Sequence, residues 1–379
     1  MIYFVLLFVI IVLGGIVKPR KSLYARKAYM IITFGLLIAL SGFRSPEVGR
    51  DVAGHYAQNY ELISNMKWGE LLPFSIAGGY EIGYCYFNKL IGSLTQGNIQ
   101  WFLFITSFFI YGVLGLFIYK KSPNVIFSVL LLLFTCQYYM YMNILRQAMA
   151  VSIIILGYLI ADECKRKITA IIIFSLFILL AMTFHTSAIF CFIMLTFYYL
   201  KFDKKMYKIC LCFSILFFIS FASFYNEALT LLGEGNKYEM YEGGHAEAQG
   251  HINIQSVTNA LLTVGAFLSL KYVGVRNINI NKKIRKYIDE SDMNFILYAS
   301  FFAGLFRFMT LQMNILNRFS FYFMPFVLIA YPIAYYDMQG NYKRIKQIII
   351  LLFFIYFTIT TNRYAEELYG VIPYKICIF

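Results

Sequence analysis

Residues 101–119 read WFLFITSFFIYGVLGLFIY, with no charged side chain before Lys120 and Lys121. A helix crosses the hydrocarbon of a bilayer in about 17 to 25 residues, so this run has the length and composition of a membrane span. The next run, 124–142, is also uncharged and largely apolar. Two such runs in succession predict a membrane-embedded helical chain.

Runs of the same kind continue on both sides, and together they predict about twelve spans, within a range of roughly ten to twelve. The predicted spans are 2–17, 28–43, 101–119, 124–142, 144–161, 168–184, 186–200, 206–225, 253–273, 293–313, 315–336 and 345–361. The predicted fold class is therefore all-α, a polytopic transmembrane helical bundle in which 1–379 form a single membrane-embedded domain.

Composition agrees with that class. Of 379 residues, 60% are hydrophobic and 14% charged, and the net charge is +14. Typical soluble domains have about 45–50% apolar and 25% charged residues. Most of the lysines and arginines fall in alternate loops, which predicts a basic inner face and both termini outside. The expected partner of that face is the anionic inner leaflet, and nucleic-acid binding is not expected.

Three segments that are long enough to have a function are predicted to lie outside, namely 44–98, 226–252 and the tail from residue 362. Segment 44–98 reads as an extracytoplasmic loop with amphipathic stretches, and 226–252 as a mobile extracytoplasmic loop. The inner loops are short, and the sequence has no Gly-rich phosphate-binding motif, so direct use of ATP is not expected. The seven cysteines show no metal-binding spacing, and no metal or cofactor is predicted.

Charged residues at membrane depth are costly and are therefore candidates for function. Arg44 and Asp51 flank one outer helix end, with Tyr56 just beyond, and Glu81 lies in an aromatic, glycine-flanked stretch. A self-paired, solvated loop is the alternative for the first group, and a simple interfacial position is the alternative for Glu81.

Asn143, Arg146 and Gln147 have the spacing i, i+3 and i+4, which places them on one face of a helix. Such a face suits oxyanion binding, although capping and snorkelling would also explain it. His185 interrupts a long apolar stretch, where an imidazole needs a partner or water; a satisfied structural histidine is the alternative.

Arg307, Asn317 and Arg318 complete the set near the outer ends of two later spans. By the predicted topology, the four arginines at 44, 146, 307 and 318 lie at one depth with His185, Asp51 and Glu81. Because arginine forks match the geometry of phosphate oxygens, several together can hold a diphosphate near the headgroup level.

The sequence resembles the EpsG family of bacterial membrane proteins of exopolysaccharide and capsule loci, akin to Wzy-type polymerases. The resemblance rests on a series of short motifs in a fixed order. They are Arg44-Ser45 with Gly49-x-Asp51 and Tyr56, Glu81 in a Gly-Tyr context, Asn143-x-x-Arg146-Gln147-Ala148, Phe184-His185-Thr186-Ser187-Ala188, Asn317-Arg318 and Ile372-Pro373-Tyr374. Arg50 departs from the small or polar residue expected before the aspartate.

The resemblance implies a polymerase, which is a glycosyltransferase that joins glycan repeat units carried on undecaprenyl diphosphate. The reaction is expected at the outer face of the bacterial plasma membrane, in the synthesis of exopolysaccharide, capsule or O-antigen. Arg146, Arg307 and Arg318 are expected to bind the diphosphate, with Arg44 in support, because the leaving group needs fixed cations. Asp51, His185 or Glu81 is expected to act as base on the acceptor hydroxyl. The expected substrate-orienting residues are Asn143, Gln147, Asn317 and Tyr56. Whether a chain-length regulator also binds stays open.

Two other functions remain as alternatives. A flippase or secondary transporter of lipid-linked oligosaccharide would also place charges in a helical bundle, but nearer the midplane. A membrane O-acyltransferase would use an intramembrane histidine together with a path for an acyl donor.

Overall fold

The structure is a computed structural model that describes residues 2–77, 80–232, 254–276, 281–311 and 316–377. Throughout these ranges the chain is built from helices and turns, with one isolated bridge between Arg44 and Ile376. The helices before the chain midpoint are α1 (Ile2–Val17), α2 (Leu23–Gly42), α3 (Ala57–Asn65), α4 (Leu71–Ile76), α5 (Ile82–Thr95), α6 (Ile99–Lys121), α7 (Val125–Phe134), α8 (Gln137–Asn143), α9 (Leu145–Asp162) and α10 (Lys167–Met182). They are followed by a 3₁₀ helix (Thr186–Tyr198), α11 (Lys204–Leu232), α12 (Ile254–Ser269), α13 (Glu290–Met309), α14 (Asn317–Ala334) and α15 (Asn341–Arg363).

Several of these helices are long and apolar enough to cross a membrane. In the described ranges five meet that criterion, namely Leu23–Gly42, Ile99–Lys121, Leu145–Asp162, Ser256–Gly274 and Asn341–Arg363. The pair α7 and α8 adds a sixth if it is one bent span, and α1, α10 and the 3₁₀ helix are shorter apolar segments. The all-helical, multi-pass class is therefore confirmed, and the number of about twelve spans stays a prediction.

The predicted span 124–142 is broken rather than straight. Its two halves, α7 and α8, meet at an angle of 60°. The hydroxyl of Thr135 donates to the carbonyl of Leu131 at 2.7 Å, and Cys136 adopts the left-handed conformation with φ of 57°. Both features end a helix, because the first closes its last turn and the second turns the chain out of the helical path.

A second break follows at Ile144, whose φ and ψ are −79° and 54°. The prediction of one continuous helical face from Asn143 to Gln147 is therefore wrong. Asn143 ends α8, whereas Arg146 and Gln147 lie in the first turn of α9. The three side chains are brought near the same region by a kink and not by helical periodicity.

Two predicted segments differ in their helical form or limits. Segment 186–200 forms a 3₁₀ helix that is 13 residues long, and at about 2.0 Å per residue it extends for roughly 26 Å. Helix α11 continues to Leu232, so the predicted outer loop 226–252 begins as helix. The rest of that loop lies outside the described residues.

The centre of the bundle is formed by α9 and α14, in which 14 and 15 of 18 residues are buried, whereas only 5 of the 23 residues of α15 are buried. Polar contacts join the helices at two opposite ends. One end, here called the basic end, comprises residues 18–27, 118–124, 162–167, 200–206, 281–290 and 336–344. The other, here called the motif end, comprises residues 43–51, 80–84, 142–147, 183–187, 317–318 and 364–377.

The basic end contains a buried ionic cluster. Nζ of Lys121 lies 2.7 Å from both carboxylate oxygens of Asp292 and 2.5 Å from Oδ2 of Asp162. The Tyr158 hydroxyl donates to the same Asp292 carboxylate. Nearby, the guanidinium of Arg26 donates to the carbonyl of Ser122 at 2.6 Å. These contacts fix the ends of α2, α6, α9 and α13 to one another.

Candidate functional site

Glu81, Arg146 and His185 form a compact cluster at the motif end. Nη1 of Arg146 donates to Oε2 of Glu81 at 2.5 Å, and Nδ1 of His185 lies 3.4 Å from Oε1 of Glu81. The backbone N–H and hydroxyl of Thr186 donate to the same oxygen, Oε1, at 3.1 and 3.2 Å. Glu81 therefore joins the start of α5 to α9 and to the turn before the 3₁₀ helix.

The cluster controls the protonation of its members. Burial would raise the pKa of the Glu81 carboxyl, but the contact with His185 and the charge of Arg146 outweigh it, and the pKa lies well below its usual value. Burial lowers the pKa of His185, and Glu81 offsets this effect only in part. At neutral pH the site therefore holds a charged carboxylate beside a neutral imidazole, which is the form that can accept a proton.

A close approach between backbones brings these residues together. A Cβ atom at Gly83 would lie 2.2 Å from Oγ1 and 2.9 Å from the carbonyl oxygen of Thr183. The N–H of Tyr84 donates to that carbonyl at 3.2 Å. Glycine at position 83 thus lets the first turn of α5 pack against the turn that carries His185, because any side chain would hold the two apart.

Tyrosine rings surround the Arg146 guanidinium. Its central carbon lies 4.2 Å from the ring centre of Tyr80 and 6.0 Å from that of Tyr56. Tyr80 and Tyr84 pack edge to face, and the Tyr80 hydroxyl accepts a hydrogen bond from Asn59 at 3.0 Å. Aromatic faces attract a guanidinium and also suit the apolar face of a sugar ring.

Asp51 reaches the same region through Asn143. The backbone N–H of Asp51 donates to Oδ1 of Asn143 at 3.3 Å, and the Asn143 amide donates to the carbonyl of Tyr139 at 3.1 Å. Asp51 also interacts electrostatically with Tyr56 and Tyr80. The amide of Asn143 is thus used to hold the Asp51 segment in place.

Gln147 connects this cluster to Arg318. Its side-chain amide donates to the carbonyl oxygen of Arg318 at 2.5 Å. Arg318 is exposed, and its charge acts on His185. Asn317, at the start of α14, accepts a hydrogen bond from the hydroxyl of Ser320 at 3.1 Å, which closes the first turn of that helix. Asn317 and Arg318, which were both candidate site residues, therefore lie next to the Glu81 cluster.

Arg44 has a different environment. It is fully buried and donates to the hydroxyl of Ser41 at 2.8 Å and to the carbonyl of Met142 at 2.7 Å. Its charge acts on Tyr111 and Tyr138. These contacts hold the end of α2 against the kink that follows α8.

Arg307 is also enclosed, with 7% of its surface exposed. Its guanidinium carbon lies 5.1 Å from the ring centre of Phe321, and its charge acts on Tyr141, Tyr356 and Tyr369. Its Nε atom is buried without a hydrogen-bond partner in the described structure. Arg44 and Arg307 thus lie in two separate buried regions that are rich in tyrosine. Arg146 and Arg318, in contrast, lie at the Glu81 cluster.

The chain's last described residues form a strap over the first motif. The strap, residues 369–377, runs antiparallel to residues 43–50. Gly49 N donates to Gly370 O at 2.8 Å, Arg50 N to Tyr369 O at 3.1 Å, and Ser45 N to Lys375 O at 2.9 Å. Gly370 has a φ of 59°, and a Cβ there would lie 2.9 Å from the nitrogen of Arg50.

The chain was compared with known protein families. The model of the EpsG family matches residues 27–376, nearly the whole chain. The chain belongs to the EpsG family. No curated protein and no solved structure matches it.

Membership of the EpsG family makes the chain a multi-pass membrane protein of polysaccharide biosynthesis and implies a glycosyltransferase-like polymerase. The matched region includes Asp51, Glu81, Arg146, His185 and Arg318, which this EpsG-family chain brings to one end of the bundle. In the described ranges, no group of three or more His, Cys, Asp or Glu residues is placed to hold a metal ion.

Three residues that build this site in the EpsG-family chain were not predicted from the sequence. Tyr80 packs on Arg146, Thr186 donates twice to Glu81, and Gly83 permits the contact with the turn at Thr183. Tyr80 and Gly83 flank Glu81 within three positions, and Thr186 follows His185. Their position next to candidate residues was the only signal in the sequence.

Proposed function

We propose that this protein is a polymerase that joins glycan repeat units carried on undecaprenyl diphosphate. The observation that carries the proposal is the cluster of Glu81, Arg146 and His185, with Arg318 beside it, in a chain of the EpsG family. The cluster combines a neutral imidazole with guanidinium groups, and these are the groups needed to activate a hydroxyl and to stabilise a departing diphosphate.

The proposed orientation places the motif end outside the bacterial plasma membrane. In support, the ends of α2, α6 and α9 that carry Arg26, Lys121 and Asp162 meet at the basic end, and their other ends meet at the motif end. Such alternation is expected of about twelve passes with both termini outside, and the basic end would then face the anionic inner leaflet.

Arg146 and Arg318 are the proposed ligands of the donor diphosphate. Arg146 is paired with Glu81 through Nη1, and 22% of its side chain remains exposed. A diphosphate oxygen would bind the same guanidinium from its exposed side. Arg318 would add the second charge from the start of α14. Arg44 and Arg307 would support the surrounding helices, from the two tyrosine-rich buried regions described above.

His185 is the proposed base. Its Nδ1 faces Glu81, so Nε2 is the nitrogen that would take the proton of the acceptor hydroxyl. The acceptor oxygen would form a bond to the anomeric carbon of the donor, while the bond from that carbon to the diphosphate oxygen breaks and its electron pair leaves with the diphosphate. One displacement of this kind inverts the anomeric centre. Asp51 would orient the acceptor, and Tyr56 would line the sugar-binding region.

The test is the glycan ladder on lipid carriers in cells that lack the protein, complemented with wild type or with Arg146→Ala. Membrane insertion of both proteins is checked on blots. We expect single repeat units to accumulate in the outer leaflet without the protein and with Arg146→Ala, and long chains to return only with wild type. Accumulation in the inner leaflet would contradict the proposal and indicate a flippase or secondary transporter. Normal chain length with altered acylation would indicate an O-acyltransferase.

A further inference from the structure

A cavity with polar and apolar walls lies at the basic end, away from the Glu81 cluster. It has a volume of about 430 Å³ and lies between the end of the 3₁₀ helix, the following residues 199–202 and the first turns of α13. Lys167 and Lys201 line it together with Glu290. We propose that this cavity binds an anionic phospholipid from the leaflet at the basic end.

One set of hydrogen bonds fixes the wall of the cavity. Oδ1 of Asn294 accepts from the N–H of Phe202 at 2.7 Å, and its amide donates to the carbonyls of Phe197 and Leu200 at 2.8 and 2.9 Å. One side chain of α13 thus fixes three backbone groups of the segment that curves around it. The shape of the cavity is therefore built into the fold and does not depend on a flexible surface loop.

The polar part of the cavity suits a phosphate. Lys167 is exposed, and Lys201 is paired with Glu290 at 3.4 Å, with 79% and 89% of these two side chains exposed. An ion pair so open to water contributes little to stability, so a phosphate can replace the Glu290 carboxylate as the partner of Lys201.

The remaining wall suits acyl chains. Phe197, Phe202 and Leu297 line the cavity, as does Tyr199, which is 61% exposed. Lysines at the rim of an apolar, outward-facing wall match a ligand with a charged head and hydrocarbon tails. A free phosphate would use the lysines alone. The site goes beyond the polymerase proposal and does not depend on it.

Binding is tested with the full chain in mild detergent by native mass spectrometry. The probes are phosphatidylglycerol, phosphatidylcholine with the same acyl chains, and glycerol 3-phosphate. We expect wild type to prefer phosphatidylglycerol. The double variant Lys167→Gln with Lys201→Gln should weaken its binding by roughly 25-fold, since each lysine near an anionic surface contributes about fivefold. Glu290→Gln should strengthen binding because it removes the competing carboxylate.

The matched control is Lys204→Gln with Lys205→Gln, which removes two exposed lysines three or four positions further along that do not line the cavity. It should keep the preference of wild type. If the two double variants lose phosphatidylglycerol binding equally, the lipid is attracted by the charge of the basic end as a whole. That result would overturn the proposed binding site. Equally tight binding of glycerol 3-phosphate would overturn the lipid assignment and leave a phosphate site. Circular dichroism confirms that both variants are folded.

Discussion

Glu81 and Arg146 are 65 positions apart in sequence, yet their side chains meet at 2.5 Å, and His185 lies on the other oxygen of the same carboxylate. The shared carboxylate keeps the Arg146 guanidinium in place and orients the His185 imidazole. The contact therefore links the proposed diphosphate site to the proposed base.

Arg146→Lys should reduce polymer synthesis by about 100-fold or more. Lysine keeps the charge but lacks the planar fork, so it can hold Glu81 or a diphosphate oxygen but not both in the same geometry. The measurement is chain length and turnover on lipid-linked repeat units in membranes. Arg166→Lys, at the exposed start of α10, is the control and should behave as wild type. Normal turnover by Arg146→Lys would show that the Arg146 guanidinium is not needed to bind the diphosphate.

Glu81→Gln should lower turnover and move the acid limb of its pH profile to lower pH. Burial lowers the pKa of His185 below 6.5, while Glu81 raises it, so wild type should lose activity only below pH 6.5 as the imidazole becomes protonated. Without the carboxylate the pKa of His185 falls further. The pH dependence of initial rates in membranes measures this, and a limb that moves upward or does not move would contradict the role of His185 as base.

Gly83→Ala should disrupt the site by separating α5 from the turn at Thr183. The added Cβ would lie 2.2 Å from Oγ1 of Thr183, and overpacking of this kind costs about 1–3 kcal/mol. We expect a lower thermal midpoint and reduced turnover. Gly112→Ala, in α6, meets nothing within 4 Å and is the control.

Combining Gly83→Ala with Thr183→Ala should restore part of the loss, because the hydroxyl is removed but the Cβ atom at 2.8 Å and the carbonyl oxygen at 2.9 Å remain. An absence of any rescue would show that the contact with the Thr183 hydroxyl is not the cause.

Asp292→Asn should destabilise the protein by about 3–5 kcal/mol, because it leaves Lys121 with a buried charge that Asp162 only partly compensates. The side chains of Lys121 and Asp292 are 8% and 3% exposed. Glu163→Gln removes the partner of the exposed Lys120 and should change stability by less than about 1 kcal/mol. Denaturant unfolding in detergent compares the two variants, and equal effects would contradict the importance of burial.

The helical class was predictable because long uncharged apolar runs admit few other structures. The breaks at Cys136 and Ile144 were not, because a left-handed cysteine and a kink at an apolar residue arise from tertiary packing. The candidate residues Glu81, Arg146 and His185 were found because charge at membrane depth is costly. That Glu81 pairs directly with Arg146 and His185 was not predicted, since a pairing across 65 positions leaves no periodic signal.

The strap at residues 369–377 has a consequence for biosynthesis. It supplies the hydrogen-bond partners of Ser45, Gly49 and Arg50, and Tyr374 binds the carbonyl of Leu40 across 334 positions. When the ribosome has completed α2, these partners have not yet been made. The segment from Arg44 to Asp51 therefore reaches its final conformation only after α15 has entered the bundle. A partly inserted chain contains this segment but lacks the hydrogen bonds that fix its conformation.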